Sequence, residues 1–291
     1  MVRNLKEKVM EVLFMAAACT SILAVVLICL FLFGSGLPAM KEIGIGNFLF
    51  GKIWRPGNEL FGIFPMIVGS IYVTAGAILI GVPTGIFTAV YLAMYCPDKI
   101  YKVLKPAVNL LAGIPSIVYG FFGIVVIVPA VRYFFNEVID LSGKGESILT
   151  ASLVLGIMIL PTIIGAAEPA IRAVPGMYYE GALALGADRE RSIFSVVLPA
   201  AKSGVLASVI LGIGRAVGET MAVVMVAGNQ PRMPQGILKG ARTLTANIVL
   251  EMGYAADLHR EALIATGVVL FVFILLINLA FSVLKRRERF S

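Results

Sequence analysis

The sequence predicts an all-α, polytopic membrane protein with about six transmembrane helices. Of its 291 residues, 59% are hydrophobic and only 14% are charged, whereas a soluble domain carries about 25% charged residues. Several long stretches contain no charged residue. Because a charge is costly at the centre of a bilayer, such stretches mark the segments that cross it. This composition excludes an ordinary soluble enzyme and a disordered chain.

The transmembrane segments follow from the charge-free stretches in chain order. The first exceeds the roughly 7–15 apolar residues of a signal-peptide core, which favours a retained helix. The fifth is interrupted only by Arg215 and Glu219. None alternates polar and apolar residues as a transmembrane strand does. The predicted helices are 12–34 (between Glu11 and Lys41), 66–95 (Glu59 and Asp98), 106–132 (Lys105 and Arg132), 148–168 (Glu146 and Glu168), 204–227 and 262–284 (Glu261 and Lys285).

The distribution of Lys and Arg predicts the orientation, because loops on the cytoplasmic side carry the excess of these residues. With the N-terminus inside, fourteen of the 24 basic residues lie on the cytoplasmic side and nine in outer loops. The terminal run 285–289 is the clearest single signal. Both termini are therefore expected in the cytoplasm. The net charge of +7 then reflects membrane topology and contact with lipid rather than nucleic-acid binding.

The residues needed for enzyme chemistry are missing. A nucleotide-binding loop of the G-x-x-x-x-G-K-[ST] type requires Ser or Thr after the lysine, and neither Gly51-Lys52 nor Gly143-Lys144 has one. The single His259 and three scattered cysteines do not form a metal site. We expect one transmembrane domain over residues 1–291, without a catalytic residue, metal or cofactor.

Two charges lie inside the fifth predicted helix. Arg215 and Glu219 are four residues apart, so on a continuous helix they share a face and can touch. Pairing lowers the cost of charges in a membrane without removing it. A guanidinium suits tetrahedral oxyanions, which predicts an anion path. The alternative is a structural pair that only fixes helix packing.

Three predicted helices contain proline, at 81–85, 113–116 and 160–162. Proline removes a backbone donor and can break a helix. Breaks at membrane depth are tolerated where they are buried in protein or line a cavity. The segments 113–116 and 160–162 are accordingly predicted as breaks, with 81–85 similar, and simple kinking for packing is an equal alternative at each.

The loop 170–202 has strong local signals. Gly186 suits the C-cap turn of a short helix, Asp188 suits the N-cap of a second one, and Pro199 is expected after the end of that second helix. Two short helices joined at a glycine form a compact projection that can enter a groove of a partner. An interfacial amphipathic segment is an equal alternative.

This loop resembles the E-A-A-x3-G-x9-I-x-L-P motif by which permeases of ABC importers hold their ATPase. The spacing agrees over twenty residues, with two mild departures. The matching residues are Glu180, Ala182, Gly186, Leu198 and Pro199, with Gly181 in place of the second Ala and Val196 in place of Ile.

Other runs are similar to the PstC-type permease of the phosphate importer, and this resemblance extends over nearly the whole chain from about residue 50. The sister PstA-type subunit shares the Gly-Ile-Pro-Ser pattern, whereas the Trp-Arg-Pro and Gly-Arg-Ala-Val-Gly-Glu-Thr-Met runs favour the PstC type. The similar runs are 54–56, 61–65, 112–120, 214–223 and 244–248.

The resemblance implies the type I ABC importer permease fold in a bacterial cytoplasmic (inner) membrane. It implies three kinds of partner: a PstA-type second permease subunit, two copies of a cytoplasmic ATP-binding subunit, and an extracytoplasmic phosphate-binding protein. It also maps Arg215 and Glu219 onto the translocation path of inorganic phosphate. Three alternatives remain: an importer of sulfate, molybdate or phosphonate, an ATP-independent anion channel or carrier, and a non-transporting scaffold or sensor.

Overall fold

A computed structural model describes the backbone of residues 2–139 and 143–287, and the side chains in these ranges except those of 2–5, 138 and 281–287. Nearly all of this part is helical. The α-helices are α1 (Val2–Ile43), α2 (Ile45–Phe50), α3 (Phe64–Val90), α4 (Asp98–Gly113), α5 (Ser116–Phe122), α6 (Val128–Tyr133), α7 (Ile148–Arg172), α8 (Gly176–Ala184), α9 (Arg189–Ser192), α10 (Leu198–Ala200), α11 (Lys202–Gly218), α12 (Met221–Val226), α13 (Leu244–Glu251) and α14 (Asp257–Arg287).

Shorter elements join these helices. Wider π-helical segments extend α3, α5, α6 and α9, and a small antiparallel hairpin of β1 and β2 enclosing one 3₁₀ turn precedes α3. The π-helical segments are Tyr91–Tyr95, Gly123–Ile127, Phe134–Val138 and Ile193–Val197, the strands are β1 (Trp54–Arg55) and β2 (Leu60–Phe61), and the 3₁₀ turn is Pro56–Asn58.

The expected number of about six membrane spans is confirmed. Within the described residues, five helices are long and apolar enough to cross a membrane, and the count is six if two helical pieces that meet at 72° are taken as one span. The five are Lys6–Ile43, Phe64–Tyr95, Ser116–Glu137, Ile148–Arg172 and Asp257–Ala280, and the bent pair is Arg189–Ala200 with Lys202–Gly218.

The predicted third span, 106–132, is wrong at its start. The backbone is extended at Ile114 and Pro115, because the residue before a proline is disfavoured in the helical region. The chain therefore forms two helices, α4 and α5, and the apolar span begins at Ser116. Of the predicted proline breaks, this one is confirmed.

The other two predicted breaks are wrong, because Pro83 lies inside the continuous helix α3 and Pro161 inside the continuous helix α7. These helices pack along each other closely: a Cβ atom at Gly81 would lie 2.7 Å from the Ile159 side chain. A proline inside a helix loses one hydrogen bond and clashes with the preceding turn. We attribute the continuity of both helices to this packing, which outweighs the local defect.

The predicted fifth span, 204–227, is also interrupted. Helix α11 ends at Gly218, Glu219 is extended with ψ 131°, and α12 begins at Met221. Glycines at 214 and 218 weaken the last turn of α11, because glycine has a low helix propensity. This break lies within the run that resembles the PstC type.

The buried apolar residues lie along the whole bundle. The central part of the core joins α3, α5, α7, α11 and α12. At one end, here named the hairpin end, Trp54, Phe61 and Met66 pack against Leu263 of α14. At the other end, here named the elbow end, Ile171 packs with residues of the α9–α10 segment and the end of α3.

Candidate functional site

The elbow end is shaped by two local caps, both predicted from the sequence. Gly186 has φ 87°, a left-handed conformation that glycine adopts without steric cost, and the Ala187 N–H donates to the Ala182 carbonyl. The Asp188 side chain then accepts a hydrogen bond of 2.7 Å from the Arg191 N–H. These caps end α8, reverse the chain and start α9. Helix α8 and the helix that runs from Arg189 to Ala200 are together named the elbow.

The second helix of the elbow is longer than expected. Helix α9, its π-helical segment and α10 run on to Ala200, so Pro199 lies inside this helix rather than after its end. The π-helical turn before it bonds the Leu198 N–H to the Ile193 carbonyl. We attribute the tolerance of Pro199 to this wider turn, since π-bulges and prolines both bend helices.

The elbow has one packed side and one free side. Ile193 and Val197 are buried at this end, whereas α8, all of which is described, buries none of its residues. Its apolar side chains include Met177, 72% exposed, and the adjacent Leu185 is 91% exposed, which is typical of a partner-binding surface. Of the residues predicted to contact an ATPase, Glu180, Gly181, Gly186 and Pro199 are exposed and Ala182, Val196 and Leu198 are half-buried.

Two arginines fasten the elbow end to the π-helical segment Tyr91–Tyr95. Arg172 donates to the Leu92 carbonyl at 2.7 Å, and Arg189 donates to the Met94 carbonyl at the same distance. The Arg189 guanidinium also lies 4.6 Å from the centre of the Tyr95 ring. From the sequence, these arginines contributed only to the orientation.

A buried carboxylate lies just beneath these contacts. Glu168 of α7 is 1% exposed and accepts hydrogen bonds from Lys105 Nζ at 2.7 Å and from the Tyr101 hydroxyl at 3.0 Å. The oxygen that accepts from Tyr101 also pairs with Arg172, one helical turn further on. In the sequence Glu168 was only the boundary of a charge-free stretch, and its four-residue spacing from Arg172 was the one available signal.

The predicted contact between Arg215 and Glu219 is wrong, although both residues lie at the break between α11 and α12. Among the described residues no ion pair joins them. Because α11 ends at Gly218, Glu219 leaves the helix face of Arg215, and its carboxylate accepts a hydrogen bond of 3.2 Å from the Ala222 N–H. Glu219 thus caps α12, and Arg215 is exposed.

Segments far apart in the sequence meet around this break. The Thr245 hydroxyl donates to the Glu219 carbonyl at 3.2 Å. A Cβ atom at Gly120 would lie 3.1 Å from the Ala222 backbone, so α5 and α12 touch. Tyr119, next to Gly120, lies in the same buried cluster as Ala216, the residue after Arg215. The runs 112–120, 214–223 and 244–248, which the sequence singled out separately, therefore form one site.

Tyr119 also forms a hydrogen bond across the break between α4 and α5. Its hydroxyl donates to the Leu111 carbonyl at 2.8 Å, which spans the extended residues Ile114 and Pro115. The ring itself is buried in the central core with Ala216 of α11. Tyr119 thus lies beside both helix breaks.

At the hairpin end, several polar side chains contact the carboxylate of Glu251. Glu251 accepts a hydrogen bond of 2.8 Å from Trp54 Nε1, lies 2.9 Å from His259 Nε2 and pairs with Arg242. Arg242 also donates to Asn247 Oδ1 at 3.0 Å. Through Glu251 and Arg242, these contacts join the Trp-Arg-Pro run to the run 244–248. His259 contacts the same carboxylate.

The chain belongs to a family of membrane transport subunits. Residues 81–290 match the family described as binding-protein-dependent transport system inner membrane component. The protein is accordingly an inner membrane component and a permease subunit of an ABC importer.

Relatives with assigned names cover most of the chain. It is 39% identical to the probable ABC transporter permease protein YqgH of Bacillus subtilis, over 95% of this chain and 91% of that protein. It is 36% identical to the phosphate transport system permease protein PstC of Mesorhizobium japonicum, over 84% of this chain and 80% of that protein. For the probable PstC of Methanocaldococcus jannaschii the identity is 31%, with coverage of 87% and 85%.

Solved structures identify the fold. A chain of the MetNI methionine ABC transporter in an inward-facing conformation aligns with a TM-score of 0.58 and 20% identity, covering 81% of this chain and 99% of that one. A chain of a bacterial alginate importer aligns with a TM-score of 0.60 and 16% identity, covering 93% and 95%. The expected type I ABC importer permease fold is confirmed.

Proposed function

We propose that this chain is the PstC-type permease subunit that passes inorganic phosphate through the membrane. The observation that carries the proposal is the position of Arg215, which lies exposed at the meeting point of two helix breaks without an ion pair to Glu219. A guanidinium offers a planar fork of donors that suits a tetrahedral oxyanion. The PstC relatives favour phosphate among such anions.

The orientation follows from the basic residues. The elbow end and both termini face the cytoplasm, and the hairpin end faces the outside. Residues 1–291 form one transmembrane domain, with lipid around its outer surface and with the coupling loop 170–202 on the inside.

A second permease subunit of the PstA type completes the path. An arginine exposed to lipid within a span is costly, and Arg215 is exposed in the isolated chain. Phe121 of α5, next to the Gly120 that touches α12, is 63% exposed as well. A second subunit packed over this face shields the charge from lipid and encloses the anion.

The free surface of the elbow binds an ATP-binding subunit, with one copy on each permease subunit. When the ATP-binding subunits close on ATP, they draw the two elbows together and tilt the bundle to face outward. An extracytoplasmic phosphate-binding protein then releases phosphate at the hairpin end. Arg215 holds the anion weakly, because conduction requires release, and hydrolysis returns the path to the inward-facing state.

Replacement of Arg215 by Gln tests the proposal. The assembled importer carrying Arg215→Gln is expected to lose uptake of labelled phosphate by about 100-fold or more, since a charged hydrogen-bond partner is removed from the path, while all subunits remain assembled. Lys102→Gln removes a positive charge at an exposed position of α4; it is the control and is expected to keep uptake. Undiminished uptake in the Arg215 variant would contradict the anion path.

The identity of the anion is tested in the same vesicles. Sulfate, molybdate and phosphonate share the tetrahedral geometry that a guanidinium recognises. We expect excess unlabelled phosphate to suppress labelled uptake and the other three anions to leave it unchanged. Transport of one of those anions in preference to phosphate would assign the subunit to a related oxyanion importer instead.

A further inference from the structure

We propose that Glu168 is a positioning residue that transmits movement of the elbow to the translocation site through α4. This inference rests on the proposed function, because it assigns a route between the surface that binds the ATP-binding subunit and Arg215. The route consists of contacts between described residues. Its central residue, Glu168, lies outside the runs that resemble the family's motifs.

The first step joins the elbow to the end of α3. Arg189 at the start of α9 and Arg172 at the end of α7 both donate to carbonyls of the segment Tyr91–Tyr95. A π-helical turn changes the pattern of helical hydrogen bonds and recurs at functional sites. A displacement of α9 therefore reaches Arg172 through the segment Tyr91–Tyr95.

The second step passes from Arg172 to α4. Arg172 pairs with Glu168, and its guanidinium lies 4.2 Å from the centre of the Tyr101 ring. Glu168 in turn holds the Tyr101 hydroxyl and Lys105 Nζ. Removing one partner of a buried charge is strongly unfavourable, so α4 follows this carboxylate when it moves.

The attachment of α4 is mainly polar. None of its sixteen residues, all of which are described, is buried, so no apolar core holds this helix against α7. The hydrogen bonds from Tyr101 and Lys105 to Glu168 hold α4 against α7 instead. The position of α4 relative to α7 therefore depends on the Glu168 carboxylate rather than on close packing of apolar side chains.

The third step reaches the site. The Leu111 carbonyl near the end of α4 accepts the hydrogen bond from Tyr119, which bridges the extended residues before α5. Extended residues between two helices can absorb the φ/ψ change of a hinge. A rotation of α4 thus moves Tyr119, which lies in one buried cluster with Ala216 of α11 and Ala222 of α12, on the two sides of the break between these helices.

The test uses the complete importer in vesicles and measures ATP hydrolysed per phosphate taken up. Lys105→Met leaves Glu168 with Arg172 and with the Tyr101 hydroxyl but removes the ion pair between α4 and Glu168. We expect ATP hydrolysis to continue while uptake falls, so that the ratio rises about tenfold, within the range of ordinary coupling free energies. Lys102→Met, at an exposed position of the same helix, is the control and should leave the ratio unchanged, and Lys105→Arg should restore it.

Two results would overturn the inference. One is an assembled Lys105→Met importer with the ratio of the unmodified protein, and the other is a parallel fall of hydrolysis and uptake, which indicates a purely structural role. If Lys105→Met does not assemble, Tyr101→Phe removes only the hydroxyl, and an unchanged ratio there is equally decisive. Absence of ATP-dependent phosphate uptake in the unmodified importer contradicts the proposed function instead, so the two failures are distinguishable.

Discussion

At the scale of single residues, the polar side chains of this protein act by holding distant segments together. Glu251 and Trp54 are 197 residues apart, yet their hydrogen bond is buried at the hairpin end. A buried carboxylate that loses a donor keeps its desolvation cost. The PstC-like runs near residues 54 and 247 are therefore connected through a group that neither run contains.

Trp54→Phe tests this connection. The substitution keeps most of the ring packing against Phe61 but removes the indole N–H, and we expect the free energy of unfolding to fall by about 1–3 kcal/mol, the usual effect of losing a hydrogen bond to a charged group. Thermal unfolding of the purified complex in detergent measures the effect. Tyr133→Phe, at a residue 67% exposed, is the control, and equal melting of the two variants would speak against the Glu251 contact.

At the scale of elements, the elbow depends on backbone conformation rather than on packing. A Cβ atom at Gly186 would meet nothing within 4 Å, so space does not require glycine there. The backbone conformation requires glycine instead: φ is 87°, and a left-handed conformation costs other residues roughly 1–2 kcal/mol. Gly181, five residues earlier, is equally unobstructed but lies inside α8 with ordinary helical geometry.

These two glycines form a matched pair. Gly186→Ala is expected to destabilise the elbow by about 1 kcal/mol through backbone strain, whereas Gly181→Ala should stabilise α8 by roughly 0.5–1 kcal/mol because alanine is the better helix former. Hydrogen exchange of backbone amides in 176–200 follows both changes. Faster exchange in both variants, or in neither, would show that φ at Gly186 is not the constraint.

At the scale of the whole molecule, the isolated chain leaves large surfaces uncovered. Residues 6–28 of α1 are exposed, and α1 approaches α14 further along, where a Cβ atom at Gly36 would lie 2.6 Å from the Val268 side chain. Lipid can cover this apolar helix. It is a poor cover for Arg215, so the path that we propose requires the complete importer.

This view predicts that uptake depends on ATP and on the other subunits. Vesicles containing the complete importer and the phosphate-binding protein should accumulate labelled phosphate only with ATP on the elbow side, and vesicles containing this chain alone should accumulate none. A non-hydrolysable ATP analogue serves as the control and should not support uptake. Accumulation by the chain alone would indicate a carrier that needs no ATPase.

Local signals predicted much of this protein, and the errors have a common cause. Both elbow caps were correct because a cap depends on a few neighbouring residues, here Gly186 and Asp188. The breaks were harder, since Pro161 sits in a continuous helix while Ile114–Pro115 does not. Which proline interrupts a helix depends on the packing around it, and this packing comes from other parts of the chain.

By itself the sequence determined the all-helical membrane class, about six spans and the two caps at Gly186 and Asp188, because hydropathy and helix caps act over short distances. Only the tertiary structure decided that Glu219 leaves the helix of Arg215, and that Glu168 is held by Lys105, 63 residues away. The physical reason is that a charge or a helix break acquires its role from the groups packed against it, and the linear order of residues does not specify these.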